Sequence, residues 1–195
     1  LARLTKDEAR ERGRALRASL SEVQREENDA AVIKQCRDEI DWSGLQRVHL
    51  FLPIRRRQEI DTWKLIEWLW DAHAKVRTYV PRLVAGELEQ VRATIGTGWY
   101  LNRYQIPEPF EGEVLGDEEP LDLIFAPLLC VDLHGCRVGY GGGFYDKFMA
   151  TRPHAKKVGL AYESWLTRDD IETNARDVRL DGVVTEQRVH WFAES

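Results

Sequence analysis

Short apolar runs that alternate with amphipathic segments constrain this 195-residue chain more than any other feature. Residues 47–52, 75–80, 121–126 (continuing through Pro127 to Val131), 157–162 and 182–185 have strand length and strand composition. Between them, 63–73 places Leu65, Ile66, Leu69 and Trp70 on one helical face, a short helix is expected directly after Gly143, and another near 168–172. Strands alternating with helices build βαβ units, so the expected fold is α/β, an open, mainly parallel sheet flanked by helices. Ligands of such sheets sit beyond the carboxyl ends of the strands.

The N-terminal segment carries two capping-box patterns, Thr5 with Glu8 and Ser21 with Gln24, which predict helices over 6–20 and 22–40. Ala9, Leu16, Leu20 and Val23 form a stripe that should face the core. Arg3, Lys6, Arg10, Arg14 and Arg17 project within a sector about 80° wide beside it. Like charges at this spacing repel, so local helix stability does not explain the edge. A solvated basic face and an anion site both remain open.

Other segments are less regular. Pro53 and Pro81 are expected to end the first two strands, and the loop 54–60 carries Arg55, Arg56, Arg57 and Glu59. Asp61 or Thr62 can cap the following helix. Residues 82–97 have no clear assignment. Pro107 and Pro109 make 99–109 an expected extended loop, and the acidic segment 111–119 an expected mobile turn.

Arg137-Val138-Gly139-Tyr140-Gly141-Gly142-Gly143-Phe144-Tyr145-Asp146-Lys147 follows a strand and opens a helix. Glycine costs more entropy on folding than any other residue, so this cluster suggests that something needs the backbone bare. Backbone amides at a helix start bind anions, Arg137 supplies a fixed cation, and Asp146 can hold a metal on a bound phosphate. Together they point to nucleotide phosphates with magnesium. A loop that only turns the chain stays open beside that reading. The spacing fits neither G-x-x-x-x-G-K-[ST] nor, because of Phe144, a dinucleotide fingerprint.

The chain is expected to be one domain over 1–195, with 43% hydrophobic and 31% charged residues. A net charge of −5 argues against a general nucleic-acid binder, so any anion site must be local. The longest apolar stretch, 123–131, is broken by Pro127 and too short for a membrane span. Residues 1–14 lack the apolar core of a secretory signal, which makes the cytoplasm the expected location; since Leu1 is not a methionine, the numbered chain is expected to begin after either a trimmed end or further residues. Cys36, Cys130 and Cys136 form no CxxC and fit reduced, buried thiols. His49, His73, His134, His154 and His190 match no metal-ligand spacing and receive no catalytic role.

With Ala126-Pro127 and Asp132 upstream, the glycine loop resembles the signature of the 5-formyltetrahydrofolate cyclo-ligase family, also called methenyltetrahydrofolate synthetases. Lys6-x-x-x-Arg10, Glu59-Ile60-Asp61-Thr62, Ile106-Pro107-Glu108-Pro109 and Asp181-Gly182-Val183-Val184-Thr185-Glu186 occur in that family's order and spacing, so the resemblance covers nearly the whole chain. It implies ATP- and magnesium-dependent conversion of 5-formyltetrahydrofolate to 5,10-methenyltetrahydrofolate, with ATP and 5-formyltetrahydrofolate as small-molecule substrates; one polypeptide reading as a complete single-domain site makes a monomer the expected state.

Carried over by position, Lys6, Arg10 and Arg137 contact ATP phosphates, with Lys6 and Arg137 as the catalytic cations and the N-terminal helix packing over the nucleotide site. Val138, Gly139, Tyr140, Gly141, Gly142, Gly143, Phe144 and Tyr145 complete the ATP site. Glu59 is the folate-binding carboxylate, suited to the N–H donors of a pterin edge. Leu52, Trp99, Tyr140, Phe144 and the glycines 141–143 complete the folate pocket, and Asp146 and Asp177 are the magnesium-associated acids. Read from the residues alone, Glu59 fits a solvated loop acid equally, Asp177 an ordinary ion pair with Arg176 or Arg179, and the aromatics a core. Some family members have a lysine where this chain has Gly142, and Arg55-Arg56-Arg57 extend a loop that is shorter in some members. The competing expectation from another class is a regulatory module that binds ATP or folate without turnover.

Overall fold

The computed structural model describes residues 3–116 and 118–193. Leu1 lies outside them, as does Asp117 within the acidic segment 111–119. Helices α1 (Lys6–Ala18) and α2 (Glu22–Glu39) form as their capping boxes predict, with Thr5 and Ser21 accepting from the amides of Glu8 and Gln24. Four strands of the main sheet follow, β1 (Arg47–His49), β2 (Arg77–Val84), β3 (Glu87–Ala93) and β4 (Leu123–Ala126), with α3 (Trp63–Ala72) between β1 and β2. After β4 come α4 (Phe144–Ala150), β5 (Lys156–Leu160), β6 (Gly182–Val184) and β7 (Val189–Trp191).

The seven strands form one sheet in the order β7-β6-β5-β4-β1-β2-β3. Pairing is parallel throughout β2-β1-β4-β5-β6 and antiparallel only at the two outer pairs. Helices cover both faces. His49 and its register partner Ile124 point to one side, where His49 meets Phe148 of α4 at 4.9 Å. Phe125, one residue on, points to the other and meets Trp42, which packs on Trp68 of α3. Leu50, Leu65, Ile66, Leu69, Ile124, Phe125 and Val158 are fully buried in the core this creates.

Several expectations change. β2 continues through Pro81, which pairs with Gln90 in a hairpin with β3, so the unassigned segment 82–97 is largely strand. Its neighbour β1 has already ended opposite Tyr79, and prolines fit strands where one side has no partner. Trp99–Leu101 and Pro107–Pro109 form a two-stranded antiparallel hairpin rather than an open loop. Within 111–119, Val114 bridges to Val91, and Leu115 donates to the Gln90 carbonyl, so part of the expected turn pairs with the outer edge of β3. No helix forms at 168–172; Asp170–Ile171 pairs in parallel with Arg3–Leu4. Val23, placed on the core-facing stripe, is 63% exposed because the chain turns into α2 before reaching it. Among the described residues, no helix is long and apolar enough to cross a membrane.

Candidate active site

Because the parallel strands run β2-β1-β4-β5-β6 in space, the direction of winding reverses between β1 and β4. In doubly wound sheets the crevice outside the carboxyl ends at such a switch point is where ligands bind. A cleft of about 950 Å³ opens there. The chain leaving β1 lines it with Phe51, Leu52, Ile54, Arg56, Arg57 and Glu59, and the chain leaving β4 contributes Pro127 and the run from Arg137 to Lys147. Helix α1 brings in Lys6 and Arg10, and Asn174 to Val178 close the same end.

At that end the Arg10 side chain donates from Nε to the Gly139 carbonyl (3.1 Å) and from Nη1 to Asp7 (2.6 Å). Gly141 and Gly143 have φ of 98° and 67°, the left-handed region that favours glycine, and a Cβ on Gly141 would lie 3.6 Å from the Arg10 guanidinium. A Cβ on Gly142 would meet the Phe144 ring at 2.7 Å, so glycine here matches the position of this aromatic. Lys6 Nζ reaches both Asp177 oxygens at 2.6 Å. Arg137 Nη2 donates to Asp146 Oδ1 at 3.2 Å, and the Val178 amide donates to the same oxygen at 3.1 Å.

Cations and acids 171 and 9 residues apart in sequence are thus paired within one cleft. Burial lowers the Arg137 pKa, with Asp146 opposing. Burial disfavours the Asp177 carboxylate, but hydrogen bonds from Lys6 and the Asn174 amide outweigh it and leave its pKa below the usual range.

Among the described residues no three His, Cys, Asp or Glu side chains gather as a metal cage. Asp146 and Asp177 nevertheless both face the cleft with hard oxygen donors. Magnesium is commonly held by one or two carboxylates plus substrate phosphates and water, so this donor set fits magnesium only together with a phosphate ligand.

The other end is built around Glu59, a buried carboxylate that accepts the Ile54 amide at 2.8 Å. Burial raises its pKa, while that hydrogen bond, Arg17, Tyr140 and Arg57 pull the other way. Leu52 is buried beside it, and Arg57 stacks over the Tyr140 ring at 4.0 Å. Leu83, Leu88, Asn102, Tyr104, Ile106 and Glu108 also line the cleft.

Every carried-over residue lines this cleft except Trp99, which packs edge-to-face on Trp63 at 4.7 Å and is absent from the lining. Sequence reasoning assigned no role to Glu108, which is 3% exposed and ties the two hairpins together by accepting from the Leu83 amide, Tyr100 and Asn102. Its Pro-Glu-Pro setting was the available signal. His49, given no catalytic role from sequence, does not line the cleft; it is fully buried, which pushes its pKa down to about 3, so the neutral ring faces the Tyr145 hydroxyl at 3.1 Å. Arg17 belonged to the basic edge, yet it is buried and does not line the cleft.

The sequence pattern of the 5-formyltetrahydrofolate cyclo-ligase family matches residues 3–186. A 5-formyltetrahydrofolate cyclo-ligase from Escherichia coli (strain K12) is 34% identical over 137 residues, covering 67% of this chain and 74% of its own. One from Haemophilus influenzae is 31% identical over 157 residues, covering 77% and 81%. The solved 5,10-methenyltetrahydrofolate synthetase of Aquifex aeolicus superposes with a TM-score of 0.83 at 27% identity, over 97% of this chain and 94% of that one. By pattern, by relatives and by fold, the chain belongs to the 5-formyltetrahydrofolate cyclo-ligase family.

Proposed function

We propose that this enzyme converts 5-formyltetrahydrofolate to 5,10-methenyltetrahydrofolate with ATP and magnesium, releasing ADP and phosphate. The observation that carries the reading is that one cleft is lined by Glu59 and Leu52 together with Lys6, Arg10, Arg137 and the glycine loop. The names of the relatives support the folate substrate and product.

The formyl oxygen attacks the γ-phosphorus, and the new O–P bond forms as the bond to the β,γ-bridging oxygen breaks and ADP leaves. N10 then attacks the activated formyl carbon and loses its proton to solvent. Phosphate departs with the former formyl oxygen, leaving the carbon bonded to N5 and N10 as the methenyl bridge. Such chemistry asks a protein chiefly for alignment and charge stabilisation.

Arg137, 3% exposed at its side chain, supplies a desolvated positive charge to the transferring phosphoryl group, where electrostatics act more strongly than in water. Lys6 and Arg10 hold the other phosphates from α1, and residues 138–145 bind the nucleotide along the loop. Glu59 accepts hydrogen bonds from the pterin N–H groups, with Leu52, Tyr140 and Phe144 against the ring. Asp146 and Asp177 would hold magnesium, which when bound neutralises phosphate charge. Residues 1–195 act as one domain, and since one polypeptide supplies both ends of the cleft, a monomer suffices.

The test is absorbance in the methenyl-folate band when purified protein meets 5-formyltetrahydrofolate, ATP and magnesium. A rise that needs all three establishes the reaction. No rise, with ATP still bound in a separate titration, leaves a module that binds without turnover.

A further inference from the structure

Asp132 is 1% exposed, and both of its carboxylate oxygens accept from backbone amides. Oδ1 takes the amides of His134 and Cys136, each at 2.9 Å, and Oδ2 takes that of Ile171 at 3.0 Å. The first two amides belong to the turn of an antiparallel hairpin, Cys130–Asp132 with Arg137–Val138, which delivers Arg137 and leads into the glycine loop. The third belongs to Asp170–Ile171, the strand that pairs in parallel with Arg3–Leu4, and the Glu172 amide adds a bond to the Leu4 carbonyl at 2.9 Å. Leu4 stands just before Thr5 and Lys6, the N-cap and first residue of α1. One buried carboxylate therefore ties the segment that presents Arg137 to the segment from which Lys6 projects.

A tie at the start of α1 matters because the helix is seated near its middle. Gly13 lies against the Leu129 backbone, and Ala9, Leu129, Val138 and Ile171 share a small core beneath the helix. From Gly13 back to Lys6 is an arm of about 10 Å at ~1.5 Å per residue, so a tilt of ~10° about that seat displaces the start of the helix by roughly 2 Å. Where alignment carries the chemistry, a misplacement of about 1 Å can cost on the order of 10²-fold in rate. Arg10 also reaches across, to the Gly139 carbonyl, but its long side chain is assigned to phosphate and gives the helix no fixed point.

We propose that Asp132 is a positioning residue for phosphate binding: by holding Ile171, and through it Leu4, it sets the spacing between Lys6 and Arg137, without touching either substrate. Asp132 is absent from the lining of the cleft, whereas Lys6 and Arg137 both belong to it. The inference rests on the assignment of Lys6 and Arg137 to phosphate made above. Asparagine in place of Asp132 keeps one accepting oxygen and puts an NH2 that can only donate where the other stood, so it cannot hold both partners. Retaining the two hairpin amides preserves more bonds, which makes the link to Ile171 the one that opens.

The experiment compares wild type, Asp132→Asn, Lys6→Ala and the Asp132→Asn/Lys6→Ala double variant. It reads affinity for ATP with magnesium, affinity for 5-formyltetrahydrofolate, single-turnover rate with both substrates saturating, and amide hydrogen exchange in ligand-free protein. Asp132→Asn should speed exchange at Ile171 and Glu172 by about tenfold or more and leave His134 and Cys136 protected. It should weaken ATP binding about tenfold and slow single turnover by about 10–10²-fold, while affinity for 5-formyltetrahydrofolate changes less than about twofold. In the Lys6→Ala background the same substitution should cost less than about half as much on a logarithmic scale, because its effect runs through Lys6.

Unchanged exchange at Ile171 and Glu172, equal loss of both ligands, or full additivity with Lys6→Ala overturns the proposal. If Asp132→Asn does not fold, Ile171→Pro takes its place, since proline removes the amide that Asp132 accepts and spares the bond from Glu172 to Leu4. That variant must reproduce the loss of ATP affinity and its non-additivity with Lys6→Ala, or the proposal fails. Wild type that binds ATP yet leaves 5-formyltetrahydrofolate unconverted would overturn the functional reading instead, and exchange and ATP affinity would still decide the role of Asp132.

Discussion

Arg137 and Glu59 carry opposite charges into the same cleft, and burial acts against both. For Arg137 the carboxylate of Asp146 compensates. Arg137→Ala should lower kcat by about 10²–10³, the usual cost of one charge contact at a transition state, and single-turnover rates with both substrates saturating will read it. Glu59 sits above its ordinary pKa, so its protonated form is favoured by folding. With the folded pKa raised, its stabilising contribution is full below the ordinary value near 4.5 and is lost as pH rises through the folded value. Ionising Glu59 is therefore a cost to the ligand-free protein. Glu59→Gln, which can still accept the Ile54 amide, should raise Tm at pH 7, with the gain closing on acidification, while weakening folate binding more than ATP binding. Thermal melts at pH 7 and pH 4 beside two ligand titrations will decide it. Glu59 as a loop acid was visible in sequence, but its 9% exposure was not, because Arg17 and Tyr140, which lie near it, come from two distant segments.

Helix α1 shows how local and tertiary forces divide the work of one element. Its start was legible, because a capping box is a contact between residues three apart. Its basic edge was ambiguous for the same reason: nothing local distinguishes Arg14, which is exposed, from Lys6 and Arg10, which line the cleft, or Arg17, which is buried. The docking of the helix is set at Gly13, where a Cβ would fall 2.3 Å from the Leu129 carbonyl oxygen. Glycine in a helix interior costs about 1 kcal/mol relative to alanine, so propensity alone predicts that Gly13→Ala stabilises. The packing predicts the reverse, since that backbone oxygen cannot move aside. Gly13→Ala should lower Tm and raise KM for ATP more than for 5-formyltetrahydrofolate, because α1 delivers Lys6 and Arg10. A raised Tm would show that the helix is not seated this closely.

At the scale of the whole molecule, one cleft is lined by Glu59 and Leu52 as well as by Lys6, Arg137, Asp146 and Asp177, and the proposed function gives it two ligands, with the two acids serving the nucleotide. Each ligand should raise Tm separately, by about 2.7 kcal/mol of added stability at one hundred times its Kd. A chelator should abolish most of the gain from ATP and leave that from 5-formyltetrahydrofolate intact; equal loss of both would place the two acids differently. Strand and helix alternation, both N-terminal caps and the glycine loop could be read from the chain because each depends on neighbours within one turn or one strand. The strand through Pro81, the Pro-Glu-Pro hairpin and the Asp170–Ile171 pairing could not, since a backbone becomes a strand when a distant partner supplies its hydrogen bonds. The sequence by itself determined which residue types the site contains and their order along the chain. Only the tertiary structure decided that Lys6 meets Asp177, that Trp99 turns away to Trp63 and that Arg17 stays outside the cleft. Those contacts depend on where the sheet reverses its winding and which surfaces are thereby buried, a property of the assembled layers rather than of any segment.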